Sequence, residues 1–131
     1  MVTILVADDD DLILEFLRRK LEGQLFRVLI APDGETALEL ARAELPDVIV
    51  LDVMMPKRDG FSVLQELKVD PATTAIPVIM LTARKTQDDV IQGLEQGVAD
   101  YLMKPFMPAE FLARVEKVLE KAQKDKDVAW V

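Results

Sequence analysis

Apolar residues gather in five short runs along the chain: Ile4 to Ala7, Phe26 to Ala31, Val48 to Leu51, Val78 to Leu81 and Ala99 to Met103. Most are continuous rather than alternating, as expected for strands covered on both faces. Between them the apolar period changes to that of helices. Ile13, Phe16, Leu17 and Leu21 predict a first helix, with Gly23 in the position of a left-handed cap. A second starts at Asp33-Gly34, buries Ala37, Leu38 and Ala41, and is broken by Pro46; a third starts at Asp59-Gly60, buries Phe61, Leu64 and Leu67, and is bounded by Pro71. Thr86 and Asp89 form a capping-box pattern ahead of Val90, Ile91 and Leu94, with Gly97 as the stop. Pro108 opens the last helix, through Phe111, Leu112, Val115, Val118 and Leu119.

Strands alternating with helices call for right-handed β-α-β crossovers. The expected fold is therefore α/β: a single doubly wound, five-stranded parallel sheet with five helices on its two faces. Among small open sheets of this class the strand order 2-1-3-4-5 is common, and it puts the topological switch between strands 1 and 3. The 131 residues, half of them apolar, suit one core and leave no room for a second full domain. We expect the domain to occupy residues 1–123. Residues 124–131, where Lys124-Asp125-Lys126-Asp127 gives way to Val128-Ala129-Trp130-Val131, read as a helix end running into a tail or linker stub.

Composition then removes several chemistries. A net charge of −8 argues against direct nucleic-acid binding by this domain. With no cysteine there is no disulfide or thiolate metal site, and with no histidine there is no Ser-His catalysis, His-ligated zinc or internal phosphohistidine. The first apolar run is too short for a signal peptide or membrane span, so a cytoplasmic protein without membrane attachment is expected.

In an open parallel sheet, chemistry collects at the carboxyl ends of the strands. The first run ends in Asp8 and Asp9, the third in Asp52, the fourth in Thr82 and the fifth in Lys104. Each has an ordinary structural explanation alone: Asp10 and Asp11 suit a helix cap and first turn, Thr82 a turn, Lys104 a solvated charge. Together they converge on one crevice. Like charges about 4 Å apart repel by ~4 kcal/mol at an effective dielectric of 20, so the acids need a cation. A few oxygen ligands suit Mg²⁺, with Mn²⁺ as a substitute. A cation beside a carboxylate, a hydroxyl and a lysine makes a cradle for phosphoryl oxygens, and Asp52, the single acid on the central strand, is the candidate nucleophile.

These residues resemble the response-regulator receiver domains: Ile4-Leu5-Val6-Ala7-Asp8-Asp9, Leu51-Asp52-Val53-Met54-Met55-Pro56 with Asp59-Gly60, Leu81-Thr82-Ala83, and Tyr101-Leu102-Met103-Lys104-Pro105-Phe106. The resemblance spans residues 3 to 122. It implies Asp52 as phosphoacceptor, with Mg²⁺ held by Asp9, Asp52 and the Met54 carbonyl and with Asp8 acting through a bridging water. It further implies that Lys104 reaches the phosphoryl oxygens or, before phosphorylation, the Asp52 carboxylate, and that Thr82 hydrogen-bonds the phosphoryl group. Tyr101 would follow Thr82 between outward and inward rotamers, and the Lys104-Pro105 bond would be cis. The implied partners are a histidine kinase or phosphotransfer protein, and a homodimer through the face of the fourth predicted helix, fifth strand and fifth predicted helix. Lys57-Arg58 departs from the Gly-Met more usual before Asp59-Gly60, and Met54 and Arg84 occupy positions that in this family govern access of the hydrolytic water.

Three other functions fit parts of the same pattern. A haloacid-dehalogenase-type phosphatase would use Asp8 as nucleophile in Asp8-Asp9-Asp10, but Leu12 stands where its motif closes with Thr or Val. A flavin-binding electron carrier would need a Ser/Thr/Gly phosphate loop after the first strand, where this chain has aspartates. A receiver-like scaffold that acts by binding alone would have lost one of the five site residues, and none is missing.

Overall fold

The computed structural model describes residues 1–83 and 97–128, with side chains through Asp125. Five strands, β1 (Thr3–Ala7), β2 (Arg27–Ala31), β3 (Val48–Asp52), β4 (Val78–Thr82) and β5 (Asp100–Met103), form one sheet in the order β2-β1-β3-β4-β5. All four pairings are parallel. The expected class and strand order are those observed. The described helices are α1 (Asp11–Glu22), α2 (Gly34–Glu44), α3 (Gly60–Val69) and α4 (Pro108–Val128). The helix expected around Val90, Ile91 and Leu94 lies outside the described residues, as does Arg84.

Because side chains alternate across a strand, the continuous apolar runs feed two cores. Leu5, Ile49, Leu51, Val78 and Met80 face α2 and α3, meeting Ala37, Leu38, Ala41, Phe61, Leu64 and Leu67. Ile4, Val6, Val48, Val50, Ile79 and Leu81 face α1 and α4, meeting Leu14, Leu17, Leu21, Phe111 and Val115. The three central strands are buried almost throughout, whereas β2, on the edge, is half-buried.

Three local expectations need correction. First, α1 turns a different stripe inward: Leu14, Leu17 and Leu21 are buried, Ile13 is half-buried and Phe16 is 43 % exposed. Apolar residues at 12, 13, 14, 16, 17 and 21 cover more than one stripe of the helix, so spacing alone allows two phases. Second, Gly23 is right-handed (φ −62°, ψ −23°), and the left-handed residue is Leu25 at φ 66°. Leu25 N–H donates to the Glu22 carbonyl (2.9 Å) and Phe26 N–H to that of Leu21 (3.2 Å), the paired bonds of a Schellman motif displaced two residues from the glycine. Third, α4 does not end near Gln123 but continues to Val128, since Lys124-Asp125-Lys126-Asp127 contains no glycine or proline to stop it.

The helix starts follow their caps. Asp10 accepts from Leu12 and Ile13 N–H, Asp33 from Thr36 N–H, and Asp59 from Ser62 N–H. Gly97, the expected stop, has φ 81°. Among the described residues no helix is long and apolar enough to cross a membrane.

Gly60 opens α3 where that helix meets the end of β3. A Cβ there would lie 2.4 Å from the Asp52 carbonyl oxygen and 2.8 Å from Met80 Cε. Backbone cannot yield as a flexible side chain does, so Gly60→Ala is expected to lower stability by about 2–3 kcal/mol in urea denaturation. An unchanged midpoint would contradict this packing.

Candidate functional site

The sheet order sets β1 next to β3, with Ala7 paired to Leu51 and Asp52 paired to Leu81. Asp8 therefore leaves β1 beside the end of β3. Asp8, Asp9 and Asp52 each offer a carboxylate oxygen, and these oxygens lie within 4.8 Å of one another. Asp8 is buried, Asp52 is 5 % exposed and Asp9 is exposed. Asp8 Oδ1 accepts from Asp10 N–H (3.0 Å), which ties the β1–α1 turn to the cluster.

Lys104 follows β5, on the same rim. Its backbone N–H donates to the Thr82 carbonyl (2.8 Å), and its Nζ lies 2.7 Å from Asp8 Oδ2 and 3.1 Å from Asp52 Oδ2. The Lys104-Pro105 peptide is cis, as the resemblance implied. The ammonium bridges the two buried carboxylates, and its shorter contact is with Asp8. No sequence pattern signals that preference, because it depends on the depth at which each acid sits.

Thr82 ends β4, one residue beyond the partner of Asp52, and is buried. Met54 N–H donates to Asp52 Oδ1 (3.3 Å), while its side chain is 70 % exposed. Tyr101 lies within β5 opposite Met80 and is 6 % exposed, packed with the α2–α3 core. The site thus joins Asp8, Asp9, Asp52 and Lys104 by direct geometry, with Thr82 at the neighbouring strand end and Tyr101 farther back along β5.

Electrostatics follow from this placement. Burial raises the Asp52 carboxyl, the charge of Asp8 raises it further, and Lys104 and Met54 N–H only partly offset them, leaving it pushed up to about 6. For Lys104, burial works against the ammonium but is outweighed by the hydrogen bonds and charges of Asp8 and Asp52, so its affinity for the proton is raised. Among the described residues three acids, two of them buried, face one lysine, which leaves net negative charge. That excess, with an all-oxygen donor set, fits a hard divalent cation.

Two features escaped the sequence. Lys57 and Arg58 turn away from the acids: Lys57 Nζ is 3.5 Å from Asp33 Oδ2, and Arg58 bonds Glu35 and Glu66. Their partners belong to α2 and α3, which no local spacing joins to this loop. Beside Lys104, Ile13, Phe16, Ala83, Pro105 and Phe106 line an apolar groove of about 470 Å³, visible only once the phase of α1 is known.

Comparison with known proteins gives one family. Residues 4–116 match the family model described as response regulator receiver domain. The chain is 47 % identical over 115 residues to the response regulator PleD of Caulobacter vibrioides, covering 88 % of this chain and 25 % of that protein. It is 44 % identical over 120 residues to the alkaline phosphatase synthesis transcriptional regulatory protein PhoP of Bacillus subtilis, covering 92 % and 49 %. It therefore spans from a quarter to about half the length of these relatives. Among solved structures, a putative response regulator from Chloroflexus aurantiacus superposes with a TM-score of 0.85 at 39 % identity, over 91 % of this chain and 98 % of that one.

The raised Asp52 value has a consequence for stability in chelator. An unfolded carboxyl titrates near ~3.9, below the folded value of about 6, so the native state holds this proton more tightly. Folding is favoured at acid pH and loses that contribution as pH rises through the folded value. At pH 7.5 with a chelator, Asp52→Asn should be more stable than wild type by on the order of 2 kcal/mol in urea denaturation. The difference should close as pH falls below about 4; equal stability at pH 7.5 would rule out the combined burden of burial and of the Asp8 charge on Asp52.

Proposed function

Since the chain belongs to the response regulator receiver domain family, we propose that it is a phosphoacceptor switch of two-component signalling in which Asp52 receives the phosphoryl group. The observation that carries this is the meeting of Asp8, Asp9 and Asp52 with the ammonium of Lys104 at the carboxyl ends of adjacent strands.

A carboxylate oxygen of Asp52 attacks phosphorus, the donor's P–N or P–O bond breaks with its electron pair leaving on the donor, and an aspartyl phosphate results. Asp8 is a poorer nucleophile: it is fully buried, and its contacts to Lys104 (2.7 Å) and the Asp10 amide (3.0 Å) are shorter than those of Asp52 to Lys104 (3.1 Å) and the Met54 amide (3.3 Å). This disfavours a phosphatase built on the first strand. Asp9, Asp52 and the Met54 carbonyl are the proposed ligands of Mg²⁺ or Mn²⁺, with Asp8 supporting them from behind. Such a cation supplies charge neutralisation for the phosphoryl oxygens.

Lys104 is placed to exchange its Asp52 contact for a phosphoryl oxygen while keeping Asp8. Thr82 lies one residue past the partner of Asp52, within reach of a role in binding the new oxygens, and Lys104 N–H already joins β5 to the Thr82 carbonyl. Tyr101 is buried two residues before Met103, which pairs with Thr82, so a shift of Thr82 has a short route to it. We assign Thr82 and Tyr101 as the relay, a two-state packing biased by one added dianion.

The phosphoryl donor is a histidine kinase or phosphotransfer protein, in the cytoplasm, and it must cover the rim around Asp52. Exposed Leu12, Met54 and Met107 and the groove beside Lys104 give that rim an apolar character suited to protein contact. Dimerisation would use β5, α4 and the helix expected before Gly97.

With acetyl phosphate or beryllofluoride and Mg²⁺, wild type should form an adduct that Asp52→Asn does not, and that a chelator abolishes. The adduct should move the NMR signals of Thr82 and Tyr101. Equal labelling of Asp52→Asn would refute Asp52 as acceptor.

A further inference from the structure

The turn between Asp52 and Gly60 carries a backbone conformation that an L-residue seldom adopts. Lys57 has φ 67°, and Arg58 N–H donates to the Pro56 carbonyl two residues back (2.8 Å). That bond and that φ are those of the rare, strained form of γ-turn. Such a conformation persists where its surroundings over-determine it.

The surroundings do so from two helices. Arg58 Nε bonds Glu35 Oε1 in the first turn of α2, and Arg58 Nη1 bonds Glu66 Oε1 on α3. Arg42 Nη2 holds the other oxygen of Glu66 (3.2 Å), and Arg42 Nε lies 3.6 Å from Asp70. Lys57 Nζ lies 3.5 Å from the carboxylate of Asp33, the cap of α2. The loop also presses on α2 directly: a Cβ at Gly34 would lie 2.6 Å from both Cβ and the carbonyl oxygen of Arg58. The Arg58 guanidinium holds Glu66 below the usual carboxylate range.

We infer that Arg58, clasped between Glu35 and Glu66, is a positioning residue that locks the Lys57 turn and thereby fixes Met54 and Asp52 in the shape that receives the cation. At its near end the same loop supplies Met54 N–H to Asp52 Oδ1 (3.3 Å), and at its far end Gly60 N–H donates to the Val53 carbonyl (2.8 Å). A turn pinned at both ends and clamped in the middle has little freedom to move the Met54 carbonyl. The clasp rests on the cation site proposed above, and it gives Lys57-Arg58 a purpose other than adding charge beside the acids.

Four proteins test it by calorimetric titration with Mg²⁺ alone: wild type, Arg58→Gln, Arg58→Gln with Lys57→Gly, and Asp9→Asn. Arg58→Gln should weaken Mg²⁺ binding about fivefold, or about 1 kcal/mol, with little change in thermal midpoint in chelator. In the metal-free protein its Met54, Met55, Lys57 and Arg58 amides should exchange faster with solvent. Adding Lys57→Gly, which takes a positive φ without strain, should recover most of the affinity. Affinity of Arg58→Gln within about twofold of wild type, a loss matched by a fall in midpoint, or no recovery in the double variant would overturn the clasp. If Asp9→Asn loses affinity while Arg58→Gln keeps it, the clasp alone fails; if Asp9→Asn binds as wild type does, the cation site fails and the clasp with it.

Discussion

The sheet order sets β1 beside β3, and so forces the buried carboxylates of Asp8 and Asp52 into one another's field with the ammonium of Lys104 between them. Everything near the rim answers to that crowding. The lysine arrives from β5 at the far edge of the sheet, so the edge strand is held in register with the centre by charge as well as by its ladder to β4. Asp10 closes a turn on Asp8 and then caps α1, which makes one acidic run serve both the cluster and the start of a helix. Removing a strand from this order would separate the charges but also dismantle the cradle.

How much of this was legible in the letters differs by the range of the interaction. Strands and their ends were plain, because β1, β3 and β4 are buried on both faces and apolar runs stop where the rim begins. Asp33 and Asp59 announced their helices through side chains that bond amides only three residues on. Where two local solutions competed, spacing could not choose. The stripe of α1 had two phases, and Gly23 was a reasonable cap until the chain used Leu25.

Longer-range facts were hidden in proportion to the separation of the partners. The five residues at the strand ends could be named, but that Lys104 holds Asp8 more closely than Asp52 depends on side-chain depth 96 residues away in sequence. Arg58 was visible as a charge and not as a link between α2 and α3, since Glu35 and Glu66 become its neighbours only after the β-α units have packed. The family resemblance helped with shared positions and offered nothing for residues where this chain departs from it.

The overrun of α4 also matters mechanically. The helix is seated on the sheet by Phe111, Val115 and Val118, with Leu119 and Ala122 still half-buried, then runs six residues farther to Val128 with no glycine or proline. At 1.5 Å per residue that is a rod of about 9 Å cantilevered from its seat. A cantilever magnifies angle into distance, so a tilt at Phe111 too slight to disturb packing becomes a sideways sweep at the tip.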